Sequence, residues 1–348
     1  MSRRIAVTGP GGFFGRALEA RLAALGRLRG LFRLPDDRSR AWEARGHEVV
    51  VGDIADPDAL ARLVRGADTV YHLAARLRKD DPEESRRVNV EGTERLARAA
   101  GAAGARRLVY VSSISVYAAS EPSDRAAGRA ERGPDGVHTL TEQVEPRKIE
   151  LLNPYSATKY EGERVVRDLA ERGAGPPFTI VRPTNVYGPW GRSWFLDWVR
   201  RLEKLPVVIG GRIPVDMVHV DDIARGLVQA AETEGAAGQV FHLGHEWIPL
   251  ADYAVLVGEA VGLRVRKLPA AVDLLARFAI ERGHRLLKGD RMSTPLTRRV
   301  RYPHDKAGRL IGYRPRIRLE EGMRELGRWH REVWSASELD RRPGPPGR

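Results

Sequence analysis

A tyrosine and a lysine four residues apart are the side chains of this sequence best placed for acid–base chemistry. Tyr155 and Lys159 follow a helix-starting Asn-Pro pair, and a spacing of four puts them on one helical face. A free phenol has a pKa of roughly 10, and nearby cations lower it by favouring the phenolate. We therefore predict that Tyr155 exchanges a proton with a hydroxyl or carbonyl group, and that Ser113 hydrogen-bonds the same oxygen.

A glycine-rich turn near the start of the chain predicts a nucleotide site. Gly9, Gly12 and Gly15 lie between an apolar strand at 4–8 and a helix at 14–25. The first glycine permits a tight turn, the second lets the backbone approach a pyrophosphate, and the third allows close packing of the helix. The free N–H groups of the helix then face the anion. A purely structural turn is the alternative.

The residues after the second strand discriminate between dinucleotides. An acidic residue at this point hydrogen-bonds a ribose 2′-hydroxyl, whereas an arginine suits a 2′-phosphate. Arg33 occupies this position and predicts NADP, although Asp36 and Asp37 follow closely and keep NAD as the alternative.

Strands and helices alternate with short connections through the first half of the chain. Apolar strands are predicted at 4–8, 28–34, 48–53, 68–73, 107–112 and 178–182, with helices between them. This alternation predicts an α/β fold, a Rossmann-type doubly wound parallel sheet. We predict a dinucleotide-binding domain over 1–183 whose sheet is completed by about 215–245. A smaller C-terminal substrate-binding α/β lobe would comprise 184–214 and 246–332, before a disordered tail at 335–348. The segment at 118–152 is long, charged and punctuated by glycines, and a loop of this kind in a compact domain is usually functional or mobile.

Composition excludes several classes of protein. The 348 residues are 42% hydrophobic and 30% charged, as in globular proteins, and the absence of cysteine excludes disulfides and Cys-ligated metals. No apolar run is long enough to span a membrane, and no signal peptide is evident, which favours a cytoplasmic location. The net charge of +13 comes from dispersed arginines, and no RNA-binding motif accompanies it, so we expect no nucleic-acid partner. No metal site is predicted.

Taken in order, eight segments resemble the extended short-chain dehydrogenase/reductases of the NAD(P)-dependent epimerase/dehydratase superfamily. They are residues 8–15, 52–54, 72–75, 89–93, 111–113, 155–159, 182–189 and 219–224. The resemblance implies catalysis by Ser113, Tyr155 and Lys159, with Lys159 also holding the cofactor ribose. It further implies a homodimer formed through the helix carrying Tyr155 and the helix before it.

The same resemblance assigns the rest of the cofactor site. Besides the glycines and Arg33, the implied contacts are Phe13, Phe14, Asp53, Ile54, Leu73, Ala74, Ala75, Asn89, Ser112, Pro183 and Thr184. Asn185 and Tyr187 are the implied substrate contacts, together with Ser113. The segment at His219 is expected to start a helix capped by Asp221 or Asp222.

The substrate class rests on the second half of the chain. Nucleotide-sugar enzymes of the superfamily carry an arginine where this chain has Val215, although Arg212 lies nearby, and a dehydratase would need an Asp-Glu pair near Ser113. The C-terminal third instead resembles the 3β-hydroxysteroid dehydrogenase-like branch. We therefore predict an alcohol dehydrogenase or carbonyl reductase for a hydrophobic, steroid-like, 3-oxoacyl or secondary-metabolite substrate.

Three alternatives stay open at this point. The first is a nucleotide-sugar epimerase, ketoreductase or dehydratase, and the second is a dinucleotide-binding regulatory protein without turnover. The third concerns an amphipathic helix at 269–287, with Arg277, Arg282, Arg285 and Lys288 near its polar side. A lid in a soluble enzyme is the favoured interpretation of this helix, and peripheral contact with a membrane surface is the less favoured one.

Overall fold

A seven-stranded, fully parallel β-sheet forms the centre of the N-terminal half in a computed structural model of the chain. The structure describes residues 3–77, 81–117, 131–132, 137–146, 154–209, 211, 213–269, 271–276, 278–279, 282 and 299–334. The sheet order is β12-β8-β5-β4-β1-β2-β3. Its strands are β1 (Arg4–Thr8), β2 (Arg27–Phe32), β3 (Glu48–Val51), β4 (Thr69–His72), β5 (Arg107–Val111), β8 (Phe178–Pro183) and β12 (Gln239–Leu243). The predicted Rossmann-type sheet is confirmed, and the strand at its edge, β12, pairs with β8.

Helices cover this sheet because its central strands, β4, β5 and β8, are buried along their whole length. The described helices of both compact units of the chain are α1 (Phe13–Ala23), α2 (Asp37–Ala44), α3 (Pro57–Val64), α4 (Pro82–Arg86), α5 (Gly92–Ala102), α6 (Pro154–Glu171), α7 (Asp197–Lys204), α8 (Val220–Glu232), α9 (Leu250–Ala260), α10 (Asp305–Leu310) and α11 (Leu319–Trp329). One core cluster lies between the sheet and the helices α3, α5 and α6, where Leu60, Leu96 and Val166 are buried.

The register of the sheet aligns the chemistry-bearing segments at one edge. Thr8 at the end of β1 pairs with His72 at the end of β4, and Val111 at the end of β5 pairs with Val181. The chain continues from β1 to β2, which pairs on one side of β1, whereas β4 pairs on the other side of β1. The strand order therefore reverses next to β1, which is where open parallel sheets bind their ligands.

Three helical segments differ from the sequence prediction. Helix α2 was not predicted, yet Asp36 caps it by accepting hydrogen bonds from the N–H groups of Arg38 and Ser39, and Ser39 reciprocates. The helix predicted between the strands at 68–73 and 107–112 is divided, since a π-helical turn at Arg87–Glu91 separates α4 from α5. The predicted helix starting at His219 begins at Val220, so Asp221 and Asp222 lie inside its first turn and not at its cap.

The chain divides into two compact units. The first comprises 1–184, 220–244 and 301–315, and the second comprises 185–219, 245–300 and 316–348. In the second unit β9 (Asn185–Tyr187), β11 (Pro214–His219) and β13 (Glu246–Pro249) form a small sheet in the order β13-β11-β9. Residues 215–219, expected to help complete the main sheet, pair here instead, because β11 joins β9 and β13.

Short strands complete the described elements. They are β6 (Glu131–Arg132), β7 (His138–Thr139), β10 (Val207–Val208), β14 (Arg266–Lys267) and β15 (Val300–Arg301). Across the residues that the structure describes, none of the helices combines the length and the apolar character needed to cross a bilayer.

Parts of three predictions lie outside the described residues. These are most of the loop at 118–152, the tail at 335–348, and the basic positions Arg212, Arg277, Arg285 and Lys288. Within the predicted helix at 269–287, the apolar side chains of Leu274, Leu275 and Phe278 are exposed.

Candidate active site

The glycine turn between β1 and α1 is built so that only glycine fits at two of its positions. Gly9 has a positive φ of 68°, and a Cβ there would lie 3.0 Å from the amide nitrogen of Ala74. A Cβ on Gly15 would lie 2.6 Å from the carbonyl oxygen of Gly9, inside the turn itself. Gly12 is the residue before α1 and offers the helix no side-chain cap. The first-turn N–H groups of α1 are therefore available to an anion.

A chain of hydrogen bonds joins this turn to the loop after β4. The Thr8 hydroxyl accepts hydrogen bonds from the N–H groups of Leu73 and Ala74, each at 3.2 Å, and lies 2.8 Å from His72 Nδ1. On its other side His72 Nε2 lies 2.9 Å from the Thr93 hydroxyl, which donates to the carbonyl oxygen of Asn89. These contacts place Leu73 and Ala74 beside the glycine turn.

Asn89 links the same loop to the helix that carries Tyr155. Its side-chain nitrogen Nδ2 donates to the backbone oxygen of Arg76 and to the Thr158 hydroxyl, both at 3.0 Å. Its side-chain oxygen Oδ1 accepts from the backbone N–H of Arg76 at 2.8 Å. The π-helical turn places this side chain in the protein interior, where it is 1% exposed.

Ser113, Tyr155 and Lys159 come together at the carboxyl end of β5. Ser113 follows this strand, and its hydroxyl is hydrogen-bonded to the Tyr155 phenol. Lys159 lies one turn further along α6, is 2% exposed, and donates from Nζ to the carbonyl oxygen of Val111 at 2.7 Å. Its ammonium also lies 4.7 Å from the centre of the Tyr110 ring. A phenol, a hydroxyl group that bonds to it and a buried lysine are thus assembled at one sheet edge.

The electrostatics of this trio differ from the prediction that Lys159 lowers the Tyr155 pKa. Burial raises the pKa of Tyr155 to about 12, and only the Ser113 hydrogen bond opposes this shift. Burial also lowers the pKa of Lys159 to about 7, against the charge of Glu163. The shifts arise because both groups lose hydration and the ammonium is directed at the strand carbonyl. The predicted lowering of the Tyr155 pKa includes the charge of a bound nicotinamide and stays a prediction.

A buried ion pair behind Lys159 was not found from the sequence. Arg182, at the end of β8, donates to both carboxylate oxygens of Glu163 at 2.8 and 2.5 Å, and both side chains are 1% exposed. Glu163 is four residues after Lys159, so a Tyr-x-x-x-Lys-x-x-x-Glu spacing was available as a signal.

Arginines cluster at the glycine turn near the predicted 2′-phosphate position. Arg33 is exposed directly after β2, and the side chain of Arg38 lies against Gly11. Arg16 donates to the carbonyl oxygen of Gly11 at 3.2 Å, and burial together with the charge of Arg38 lowers its pKa. Arg16 and Arg38 were missed from the sequence because their meeting depends on α2.

The acidic residues near this cluster are already engaged. The Asp36 carboxylate accepts hydrogen bonds from the backbone at the start of α2. Asp53 accepts hydrogen bonds from Arg87 at 2.7 and 3.3 Å, which hold its pKa below the usual value. The role of Asp53 and Ile54 at an adenine stays a prediction.

Buried hydroxyl groups provide a test of whether a dinucleotide fits this edge. Within the described part of the chain, the hydroxyls of Ser112, Ser156 and Thr184 are buried and lack a hydrogen-bond partner. Buried polar groups are normally satisfied. Three such groups at the ends of β5 and β8 and the start of α6, together with the glycine cradle, fit a polar ligand at this position.

The remaining predicted contacts are divided between the units. Pro183 ends β8 beside Thr184 in the first unit. Asn185 and Tyr187 lie in the second unit, and Tyr187 is 1% exposed in its core, with its ring packed edge-on against His219. Their contact with a substrate stays a prediction.

Comparison with known proteins agrees with this arrangement. Residues 5–244 match the family model described as the NAD dependent epimerase/dehydratase family. A ceramide reductase of Caulobacter vibrioides is 36% identical over 232 residues, covering 66% of this chain and 61% of that protein. A 2-alkyl-3-oxoalkanoate reductase of Stenotrophomonas maltophilia is 31% identical over 93% of this chain and 98% of its own. The crystal structure of gox2253 superposes with a TM-score of 0.75 at 27% identity, covering 95% and 98% of the two chains.

Proposed function

The chain belongs to the NAD-dependent epimerase/dehydratase family, and we propose that within it the protein is an NADP-linked reductase or alcohol dehydrogenase. It would interconvert a ketone and a secondary alcohol on a hydrophobic small molecule. The observation that carries this proposal is the hydrogen-bonded pair of Ser113 and Tyr155 beside the buried Lys159, at the sheet edge next to the glycine turn.

The proton step follows from these three side chains. The nicotinamide, when bound, supplies or accepts the hydride. In reduction the Tyr155 hydroxyl donates its proton to the carbonyl oxygen, and the Ser113 hydroxyl hydrogen-bonds that same oxygen. The Lys159 ammonium stabilises the phenolate that forms. Because burial raises the Tyr155 pKa to about 12 in the protein alone, the phenol starts protonated and can act as the acid in reduction.

The arginine cluster at the glycine turn supports NADP as the cofactor. Arg33 and Arg38 are exposed close to the end of β2, and Arg16 adds a third guanidinium at Gly11. Arginines suit a 2′-phosphate because their planar groups donate two parallel hydrogen bonds. Asp36, which NAD would need as an acceptor for the ribose, is occupied as a helix cap.

A hydrophobic ketone is supported by the relatives and by one absent charge. The two relatives described above are named for reduction of a ceramide and of a 2-alkyl-3-oxoalkanoate. Val215, in β11, stands where nucleotide-sugar enzymes of the superfamily carry an arginine, and it pairs with Ile248. We also propose that the protein is cytoplasmic and that it forms a homodimer through α5 and α6. Sedimentation velocity would test whether it is a dimer.

The function is tested by turnover of Tyr155→Phe on a panel of hydrophobic ketones with NADPH. We expect the variant to bind NADPH with a Kd like that of the unmodified protein and to lose about 10²–10⁴-fold in kcat, since general acid catalysis contributes on this order. Unchanged turnover would remove Tyr155 from the mechanism. Turnover of a nucleotide sugar instead of every ketone would establish the epimerase or ketoreductase alternative, and cofactor binding without any turnover would establish a regulatory protein.

The cofactor choice is tested by fluorescence titration with NADPH and NADH. We expect NADPH to bind about tenfold or more tightly, and Arg38→Ala to remove most of this difference while the affinity for NADH stays unchanged. Arg40→Ala is the matched control, because Arg40 lies on the same helix and pairs with Asp37 much as Arg38 pairs with Asp36, whereas it is the side chain of Arg38 that lies against Gly11. Tighter binding of NADH to the unmodified protein would refute the assignment of NADP.

A further inference from the structure

We infer that Glu163 and Arg182 are positioning residues that keep Lys159 a cation and hold it at the carboxyl end of β5. The inference rests on the proposed function only for its catalytic consequence. Neither side chain is exposed by more than 1%, and neither reaches solvent through its charged end. Such a pair is costly to bury, since both ions lose hydration, so its presence directly behind the candidate acid–base group calls for a role.

The pair is placed so that its carboxylate acts on Lys159. Glu163 and Lys159 lie one turn apart on α6, which places Glu163 on the same side of the helix. Glu163 raises the pKa of Lys159 against the larger effect of burial. Arg182 holds both oxygens of Glu163 in a planar, two-bond geometry, which fixes the carboxylate on this face of the helix.

The other groups around Lys159 cannot replace this carboxylate. From β5 come the Val111 carbonyl oxygen, which accepts from Nζ, and the face of the Tyr110 ring. From β4 comes His72, whose pKa burial and the Lys159 charge lower to about 3, so this histidine is neutral. From α6 itself comes Tyr155, a neutral phenol at physiological pH because its pKa is raised. The carbonyl and the ring attract the ammonium without carrying a charge.

Arg182 also ties the pair to the loop that carries Ser113. Its third nitrogen donates to the Tyr117 hydroxyl at 2.5 Å, and Tyr117 lies in the short helical turn directly after Ser113. The same hydroxyl lies 2.9 Å from His242 Nε2 and 3.2 Å from the Thr141 carbonyl oxygen. Arg182 thereby connects α6, β8, the Ser113 loop and the segment 137–146 through one buried guanidinium.

The test measures the protonation of Lys159 in the full-length protein without cofactor. Incorporation of [6-¹³C]lysine gives seven lysine signals to follow against pH by NMR, and Lys159→Arg identifies the relevant one. We expect Glu163→Gln to lower the titration midpoint of Lys159 by about one pH unit or more, because it removes the negative charge one helical turn away. We expect Arg182→Gln to lower the midpoint as well, because a buried carboxylate without its cation takes up a proton and no longer favours the ammonium. A general loss of packing would instead hydrate Lys159 and raise both midpoints.

Two further variants keep the result interpretable. Glu161→Gln removes an exposed carboxylate of the same helix, one that pairs with Arg86, and should leave the midpoint unchanged. If a single variant fails to fold, the double variant Glu163→Gln, Arg182→Gln replaces the ion pair by two neutral amides and should lower the midpoint. An unchanged Lys159 midpoint in both Glu163→Gln and the double variant would overturn the inference and leave the proposed function standing.

The kinetic consequence separates positioning from direct catalysis. In the ketone assay, Glu163→Gln should lower kcat about tenfold or more at pH 8 and less at pH 6, where Lys159 regains its proton, with little change in KM. A pH-independent loss would assign Glu163 a structural role only. Loss of the Tyr155→Phe effect would instead overturn the proposed function, while the NMR titration would still report on the ion pair.

Discussion

Hydrogen-bond direction decides the state of individual residues at this site. Thr93 donates to the Asn89 carbonyl oxygen, so its hydroxyl oxygen must accept from His72 Nε2. His72 Nδ1 therefore has no proton and accepts from Thr8, whose oxygen in turn accepts from the backbone at Leu73. This series of hydrogen bonds requires the neutral tautomer of His72 that carries its proton on Nε2, and burial lowers the pKa of His72 to about 3.

The lowered pKa of folded His72 makes the free energy of unfolding depend on pH. Folded His72 stays neutral down to a pKa of about 3, whereas the unfolded residue takes up a proton near 6.5. The folded state thus binds fewer protons between these values, and stability falls as pH decreases through this window. We expect His72→Gln to be less stable at pH 7 and to lack up to about 1.4 kcal/mol per pH unit of this acid dependence.

Urea unfolding between pH 4 and pH 7 measures this dependence. His47→Gln serves as the control, because His47 is a partly buried histidine outside the hydrogen-bonded chain. Identical slopes against pH in the unmodified protein and His72→Gln would contradict the assigned tautomer.

Close approach between elements positions the groups of the candidate active site. Helix α6 lies so near β5 and the π-helical turn that a Cβ on Gly162 would come within 2.9 Å of the Asn89 carbonyl oxygen and closer still to the Tyr110 hydroxyl. Asn89 in turn holds the loop after β4 through Arg76. The absence of one side chain on α6 therefore sets the distance between the glycine turn and Tyr155.

A methyl group at Gly162 should displace α6. We expect Gly162→Ala to destabilise the fold by about 1–3 kcal/mol, as overpacking does, although alanine is the better helix former. In the ketone assay kcat should fall by up to about 10²-fold, because small displacements of reacting groups are costly. Gly235→Ala, where a Cβ meets nothing within 4 Å, is the control for both measurements. Unaltered kcat in Gly162→Ala would show that this approach is not needed.

Charge is the property that acts over the whole molecule. The net charge of +13 arises from 59 basic residues, of which seven are lysines. Several arginines are engaged in ion pairs, such as Arg29 with Glu48 and Arg3 with Glu232. What remains is a general attraction for anions, which strengthens encounter with a phosphate-bearing cofactor at low ionic strength.

Salt should weaken binding of NADPH more than binding of NADH. NADPH carries the additional 2′-phosphate, and the Debye length shortens from roughly 20 Å to about 6 Å between about 20 and 300 mM salt. We expect the Kd for NADPH to rise about tenfold over this range in fluorescence titrations, and the Kd for NADH to rise less. Equal salt slopes for the two cofactors would show that the arginine cluster does not contact the extra phosphate.

Much of the site was predictable because its residues lie next to each other in sequence or at strand ends. Gly9, Gly12 and Gly15 fall in one turn, and Tyr155 with Lys159 in one helical turn, so local spacing is sufficient. Helix α2 was missed although the Asp36–Ser39 capping box was present in the sequence. Arg38 could not be assigned to the glycine turn without that helix.

The amino-acid sequence by itself determined the alternation of strands and helices, the glycine turn, and the placement of Tyr155 and Lys159 one helical turn apart, since apolar periodicity and short-range spacing encode these features locally. Only the tertiary structure decided the charge states. Desolvation depends on which side chains pack around a group. It raised the pKa of Tyr155 and lowered that of Lys159, whereas the sequence alone had suggested a lowered Tyr155 pKa. The tertiary structure also decided the pairing of Glu163 with Arg182, because these residues lie on different elements and meet only where α6 packs against β8.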